Sequence, residues 1–107
     1  MGKLVRDRIP EIIRAAGGDA QVRVLAEDEL LPALTAKLIE EAKEAHGADV
    51  DQLLEELADI RQVILAILAH MGWTEVDLEI ASEAKVRDRG GFSRRYWLEQ
   101  VSLPDHG

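Results

Sequence analysis

The chain has 107 residues, 21 acidic against 13 basic, for a net charge of −8, and it contains no cysteine. That length supports one domain with a modest core. The negative field argues against nonspecific binding to nucleic acid or an anionic membrane, and without thiols there is no disulfide framework and no thiolate metal site.

Met1–Pro10 is charged and lacks an apolar central region, so no signal peptide is expected and a cytoplasmic location is the default. Lys3–Arg8 reads as a polar entry segment. Asp7 is placed to cap a short helix with Pro10 in its first turn, running through Ile13 to Ala16 and ended by Gly17-Gly18. Gln21–Leu25 alternates polar and apolar residues and predicts a short strand or extended segment. Asp28 is placed to cap a long helix reaching about Ala45, with Pro32 in its first turn and Gly47 closing it.

Asp49 or Asp51 caps the next helix, which runs to about Met71 before Gly72. Its Val63–Ala69 stretch is the longest apolar run in the chain and is far too short to cross a bilayer. That run is apolar around its whole circumference, which predicts cover on both sides, one of them by a second subunit in a homodimer with a shared bundle. Thr74 followed by Asp77 is a capping-box variant opening a helix to about Arg89, ended by Gly90-Gly91. Phe92–Leu98 reads as a second extended segment able to pair with the first, and the tail Val101–Gly107 is expected to be mobile. The whole, residues 1–107, reads as one all-α domain, a compact helical bundle with short extended segments near 21–25 and 92–98.

Two acidic signatures sit on the long helices, Glu40-Glu41-Ala42-Lys43-Glu44 and Glu56-Leu57-Ala58-Asp59. At about 100° per residue, Leu34, Leu38, Ala42 and Ala45 form the apolar seam of the first helix, with Glu41, Lys37, Glu44 and Glu40 fanning out along one flank. The seam of the second is Leu53, Leu57, Ile60, Ile64 and Ile67, with Glu56 and Asp59 displaced in the same rotational sense. Antiparallel packing across a short link at His46–Val50 brings these flanks together, with Glu41 and Glu56 nearly level. Four carboxylates, Glu41, Glu44, Glu56 and Asp59, then crowd one groove, with Glu40 at its rim.

Unit charges about 4 Å apart repel by roughly 4 kcal/mol at the effective dielectric of a protein surface. Such a groove must bind cations, raise some pKa values or splay open. Oxygen-only ligands point to Mg²⁺ or Mn²⁺ rather than zinc. The competing reading is a pair of solvated faces with i,i+4 charge pairs such as Lys37–Glu41.

EExxE followed by ExxD on consecutive antiparallel helices resembles the all-α nucleoside triphosphate pyrophosphohydrolases, the MazG-like superfamily. The segment Lys3-Leu4-Val5-Arg6-Asp7-Arg8-Ile9-Pro10-Glu11-Ile12-Ile13 resembles the N-terminus of its small house-cleaning members. Lys85 with Arg89-Gly90-Gly91-Phe92 resembles their C-terminal basic segment. The resemblance implies Mg²⁺-dependent hydrolysis of a nucleoside triphosphate to a monophosphate and pyrophosphate. By motif position, Glu41, Glu44, Glu56 and Asp59 correspond to the metal ligands, and Glu40 to an acid that orients or deprotonates water.

Basic residues are expected on the phosphates: Lys85 and Arg89, four apart on one helix face, then Arg94 and Arg95 beyond a Gly90-Gly91 hinge, and Lys3 and Arg6 from the N-terminus. Trp73, Tyr96 or Trp97 can stack on a nucleobase, although large aromatics in small domains are more often core. His46 and His70 read as helix C-terminal caps, and His106 carries no argument. Two other functions are compatible with the residues: phosphoribosyl-ATP pyrophosphohydrolysis in histidine biosynthesis, and a non-enzymatic helical dimer that binds metal or a partner protein.

Overall fold

The computed structural model describes residues 2–104, and these form four helices: α1 (Ile9–Ala15), α2 (Glu27–Gly47), α3 (Val50–Met71) and α4 (Glu75–Arg89). The chain is all-helical, as its periodicity predicts, and divides into two compact units, Met1–Glu75 and Val76–Gly107. Residues 105–107, which include His106 and the end of the tail expected to be mobile, lie outside the described residues. No described helix is long and apolar enough to cross a membrane.

Pro10 occupies the first turn of α1, where its missing N–H leaves no hydrogen bond unmade. Asp7 does not cap this helix. Arg8 holds the N-cap position, because the chain enters through a turn in which the Ile9 N–H donates to the Arg6 carbonyl (3.1 Å). Asp7 is thereby left one residue too early.

The start of α2 lies at Glu27 rather than after Asp28. Glu29 sets it: its Oε1 accepts the Ala26 N–H at 2.9 Å, while Arg23 donates to both of its carboxylate oxygens at 3.1 and 3.0 Å. Those donors, Arg23 first, hold the Glu29 carboxyl down at about 2. Pro32 consequently sits inside the helix, past the first turn. Its missing donor there is tolerated by a helix of 21 residues.

Only two residues, Ala48 and Asp49, link α2 to α3, which forces the helices to double back. α3 ends in a left-handed Gly72 (φ 74°), with the Trp73 N–H closing onto the Leu68 carbonyl at 2.9 Å. A side chain at that φ would be strained, so glycine is the residue the stop requires.

The buried centre of the first unit is small: Leu34, Val63 and Leu68 are 4–8 % exposed, and the only buried charged residue among those described is Glu41 at 7 %. The buried residues of α3, Val63 and Leu68, lie on either side of the expected seam. Leu53 and Leu57, predicted seam residues, are exposed, as is Leu54 beside them. Val63–Ala69 is likewise only partly covered, with Ala66 and Ala69 open to solvent.

The segments 21–25 and 92–98 form no strand, and no strand occurs among the described residues. Their alternation has no sheet edge to satisfy, and Val24 and Phe92 are almost fully exposed. In the second unit, α4 buries no residue, and the described residues beyond it have no regular secondary structure. The aromatics are not core: Tyr96 and Trp97 are more than four-fifths exposed and Trp73 about half.

Candidate metal centre

α2 and α3 pack against each other in opposite directions. Glu41, late in α2, meets Glu56 and Asp59, early in α3, while Leu30 and Leu34 face Val63 and Ala66. That register places one carboxylate oxygen each from Glu41, Glu56 and Asp59 within 4.8 Å of one another. Glu40, Glu41 and Glu44 form a second such group. Glu41 belongs to both and is the hinge of the arrangement.

All five acids singled out in the sequence are therefore gathered at one place, with two of them burying unmet oxygens. Glu41 Oε2 and Glu56 Oε2 are both shielded from solvent and have no hydrogen-bond partner. An unsatisfied buried carboxylate oxygen costs at least about 1–3 kcal/mol, so a cluster holding two of them favours a positive charge. The donor set is oxygen only and suits a hard divalent cation.

Cations of the protein itself hold the rest. Lys37 Nζ lies 3.3 Å from Glu41 Oε1 and 3.4 Å from Glu40 Oε1, with its own side chain only 14 % exposed. The i,i+4 pair Lys37–Glu41 therefore exists, but as a mostly buried contact rather than a solvated one. Burial opposes the charge on Lys37, yet the hydrogen bonds and charges of Glu41 and Glu40 outweigh it and raise its pKa. Lys3 donates to Glu40 Oε1 at 3.3 Å, and Arg6 donates to Asp59 Oδ1. Glu40 is held below its ordinary pKa, first by the hydrogen bond from Lys3. Glu44, which has no basic partner, is pushed up, chiefly by the charge of Glu41.

The N-terminal segment thus lies across the helix pair, pinned by Lys3 and Arg6. Beneath it is a cleft of about 720 Å³ bounded by one face of α2 (Leu30, Leu34, Lys37, Glu41) and one face of α3 (Asp59, Gln62, Val63, Ala66). Neither the cleft nor Gln62 follows from the acidic motifs. The i+3 spacing of Asp59 and Gln62 on one face of α3 was the available signal.

No family model matches the chain, and no solved structure matches it. An uncharacterized protein of Mycolicibacterium smegmatis (strain ATCC 700084 / mc(2)155) is 54 % identical over 56 residues, which is 51 % of this chain and 57 % of that protein. The match thus spans little more than half of the relative's length.

Lys85, Arg89, Arg94 and Arg95 belong to the second unit and are exposed there, with Arg89 3.6 Å from its neighbour Asp88. Tyr96 is exposed in the same unit. Trp73 follows the C-terminal end of α3, about 20 Å along the helix from Asp59.

Proposed function

We propose that the chain is a cytoplasmic, Mg²⁺-dependent nucleoside triphosphate pyrophosphohydrolase that releases a monophosphate and pyrophosphate, acting on surplus or noncanonical nucleotides. The observation that carries this reading is the pair of buried, unpartnered oxygens on Glu41 and Glu56, in one group with Asp59. Support also comes from the sequence resemblance of the acidic, N-terminal and C-terminal motifs, taken in order.

In this reading Glu41, Glu44, Glu56 and Asp59 hold the cation, with Mn²⁺ as an alternative to Mg²⁺. A bound divalent ion there supplies charge neutralisation of the phosphates and acidifies water. Lys37 occupies Glu41 Oε1 and so leaves Oε2 as the free donor. Glu40, kept ionised by Lys3 and Lys37, is suited to accept a hydrogen bond from the attacking water and orient it. Its lowered pKa favours orientation over proton storage. Lys3 and Arg6, already beside the carboxylates, are placed to shift onto triphosphate oxygens, each exchanging one anionic partner for another. Lys85, Arg89, Arg94 and Arg95, in the second unit, are candidate phosphate contacts on the sequence resemblance alone.

The same reading includes a homodimer. Three buried apolar side chains among the described residues make a small core, and Leu53, Leu54 and Leu57 on α3 together with Ile39 on α2 are left uncovered. Sedimentation at micromolar concentration measures it, and a monomer there removes this part of the proposal.

The deciding experiment is a product-resolved panel of nucleoside triphosphates and phosphoribosyl-ATP with Mg²⁺ and Mn²⁺. Monophosphate plus pyrophosphate is expected from a nucleoside triphosphate, with loss of turnover in Glu56→Gln and Asp59→Asn. Orthophosphate as the primary product, or full turnover in both variants, overturns the reading.

A further inference from the structure

Lys3, Arg6 and Lys37 put phosphate-binding groups on the cleft beside the carboxylates, but metal and phosphate do not account for its apolar walls. Its volume, about 720 Å³, lies within the roughly 300–1,000 Å³ typical of small-molecule sites. Its walls are mostly apolar: Leu34 and Leu30 on α2, Val63 and Ala66 on α3, with Leu4 from the N-terminal segment as a cover. At one end it meets Asp59 and Glu41, members of the carboxylate group. Gln62 also lines it, one helical turn beyond Asp59.

We propose that this cleft receives the base of the nucleotide, with Gln62 as the residue that tells one base from another. The proposal rests on the hydrolase reading to the extent that the phosphates sit on the carboxylate end. A ligand anchored there must extend from Asp59 along α3, and the next positions on that face are Gln62, Val63 and Ala66. Planar apolar rings suit the walls. A carboxamide offers both a donor and an acceptor in one plane, which matches the polar edge of a base. The ion pairs Lys3–Glu40 and Arg6–Asp59 keep the cover in place, so the cleft is preformed on one side by the same segment that contacts the acids. Trp73, about 20 Å from Asp59 along α3, is then not the base platform.

The test uses the full chain with Mg²⁺ and methyl-resolved NMR during titration with AMP, GMP, CMP and UMP, and separately with inorganic pyrophosphate. Nucleoside monophosphates are expected to shift the Leu34 and Val63 methyls, and one base to bind more tightly than the others. Ala66→Leu, at an exposed helical position on the cleft wall, narrows the cleft and should weaken the tightest monophosphate at least tenfold while leaving pyrophosphate binding unchanged. Gln62→Leu should shrink the preference among the four bases about tenfold, with helix content unaltered. Monophosphate binding that bypasses Leu34 and Val63, or that Ala66→Leu leaves unchanged, overturns the proposal. Failure of the hydrolase reading looks different: no triphosphate is cleaved, yet the methyl shifts and the Ala66→Leu effect persist.

Discussion

Glu41 on α2 and Glu56 on α3 each bury a carboxylate oxygen that no donor reaches, and both side chains belong to one group with Asp59. Neither residue is near the other in sequence. Their meeting follows from the two-residue link between helices and from the matching sense in which each acid is offset from the apolar face.

That pairing predicts stabilisation by divalent cations. Mg²⁺ or Mn²⁺ at about a hundred times its dissociation constant should add about 2.7 kcal/mol to the unfolding free energy. Differential scanning calorimetry with and without EDTA measures it. Glu56→Gln should remove most of the increment, whereas a variant that keeps it in full would place the ion elsewhere.

Glu44 carries a raised pKa because Glu41 repels its charge, so the group favours folding less as pH climbs from the ordinary carboxylate range through its own folded pKa. Glu44→Gln should therefore raise the melting temperature at pH 7 in EDTA and lower the gain from Mg²⁺. A fall in the EDTA melting temperature would show that the glutamate stabilises the fold.

Lys37 is the mostly buried counter-charge of Glu41 and Glu40. Lys37→Met should destabilise the protein by about 3 kcal/mol, because it strands the buried charge of Glu41. Adding Glu41→Gln to Lys37→Met should recover part of that loss. Urea denaturation of the two single variants and the double variant provides the cycle, and strict additivity would contradict a direct coupling.

The Glu29 carboxyl titrates at about 2 in the folded chain against an ordinary 4.5, with Arg23 and the Ala26 N–H as the cause. Its contribution to stability is complete above pH 4.5 and is lost as pH falls toward 2. Arg23→Ala should move the Glu29 titration upward, as followed by side-chain carbonyl NMR, and should flatten the acid limb of stability between those values. An unmoved titration would mean that Arg23 does not hold this helix start.

Leu34 is the most buried apolar residue among those described, at 4 % exposure. Leu34→Ala should cost about 2–5 kcal/mol, whereas the same change at the exposed Leu54 should cost well under 1 kcal/mol in the monomer. If Leu54→Ala proves as costly as Leu34→Ala, α3 has a covered outer face in solution.

The sequence by itself determined the four helices and the two acid pairs on α2 and α3. Each is written in local terms: a 3.6-residue apolar period, glycine where α3 must stop, and carboxylates three and four residues apart. It also determined that Glu41, Glu44, Glu56 and Asp59 approach one another, because a short link leaves consecutive helices little choice but to return antiparallel. The details of entry into α1 and α2 were less legible. Asp7 and Asp28 look like caps, but a turn at Arg6–Ile9 and the Arg23–Glu29 contact place the starts elsewhere.

Tertiary structure alone decided which oxygens are paired and which are not. Lys3 and Arg6 lie 37 and 53 residues from Glu40 and Asp59 along the chain, so their ion pairs depend on how the N-terminal segment crosses the helices. It likewise decided that α3 is covered at Val63 and Leu68 while Leu53 and Leu57 stay exposed, because burial depends on which elements reach each part of the helix. The cleft with Gln62 at its wall comes from that same crossing. A local period can assign a residue to a helix face, but only packing chooses the face that becomes a site.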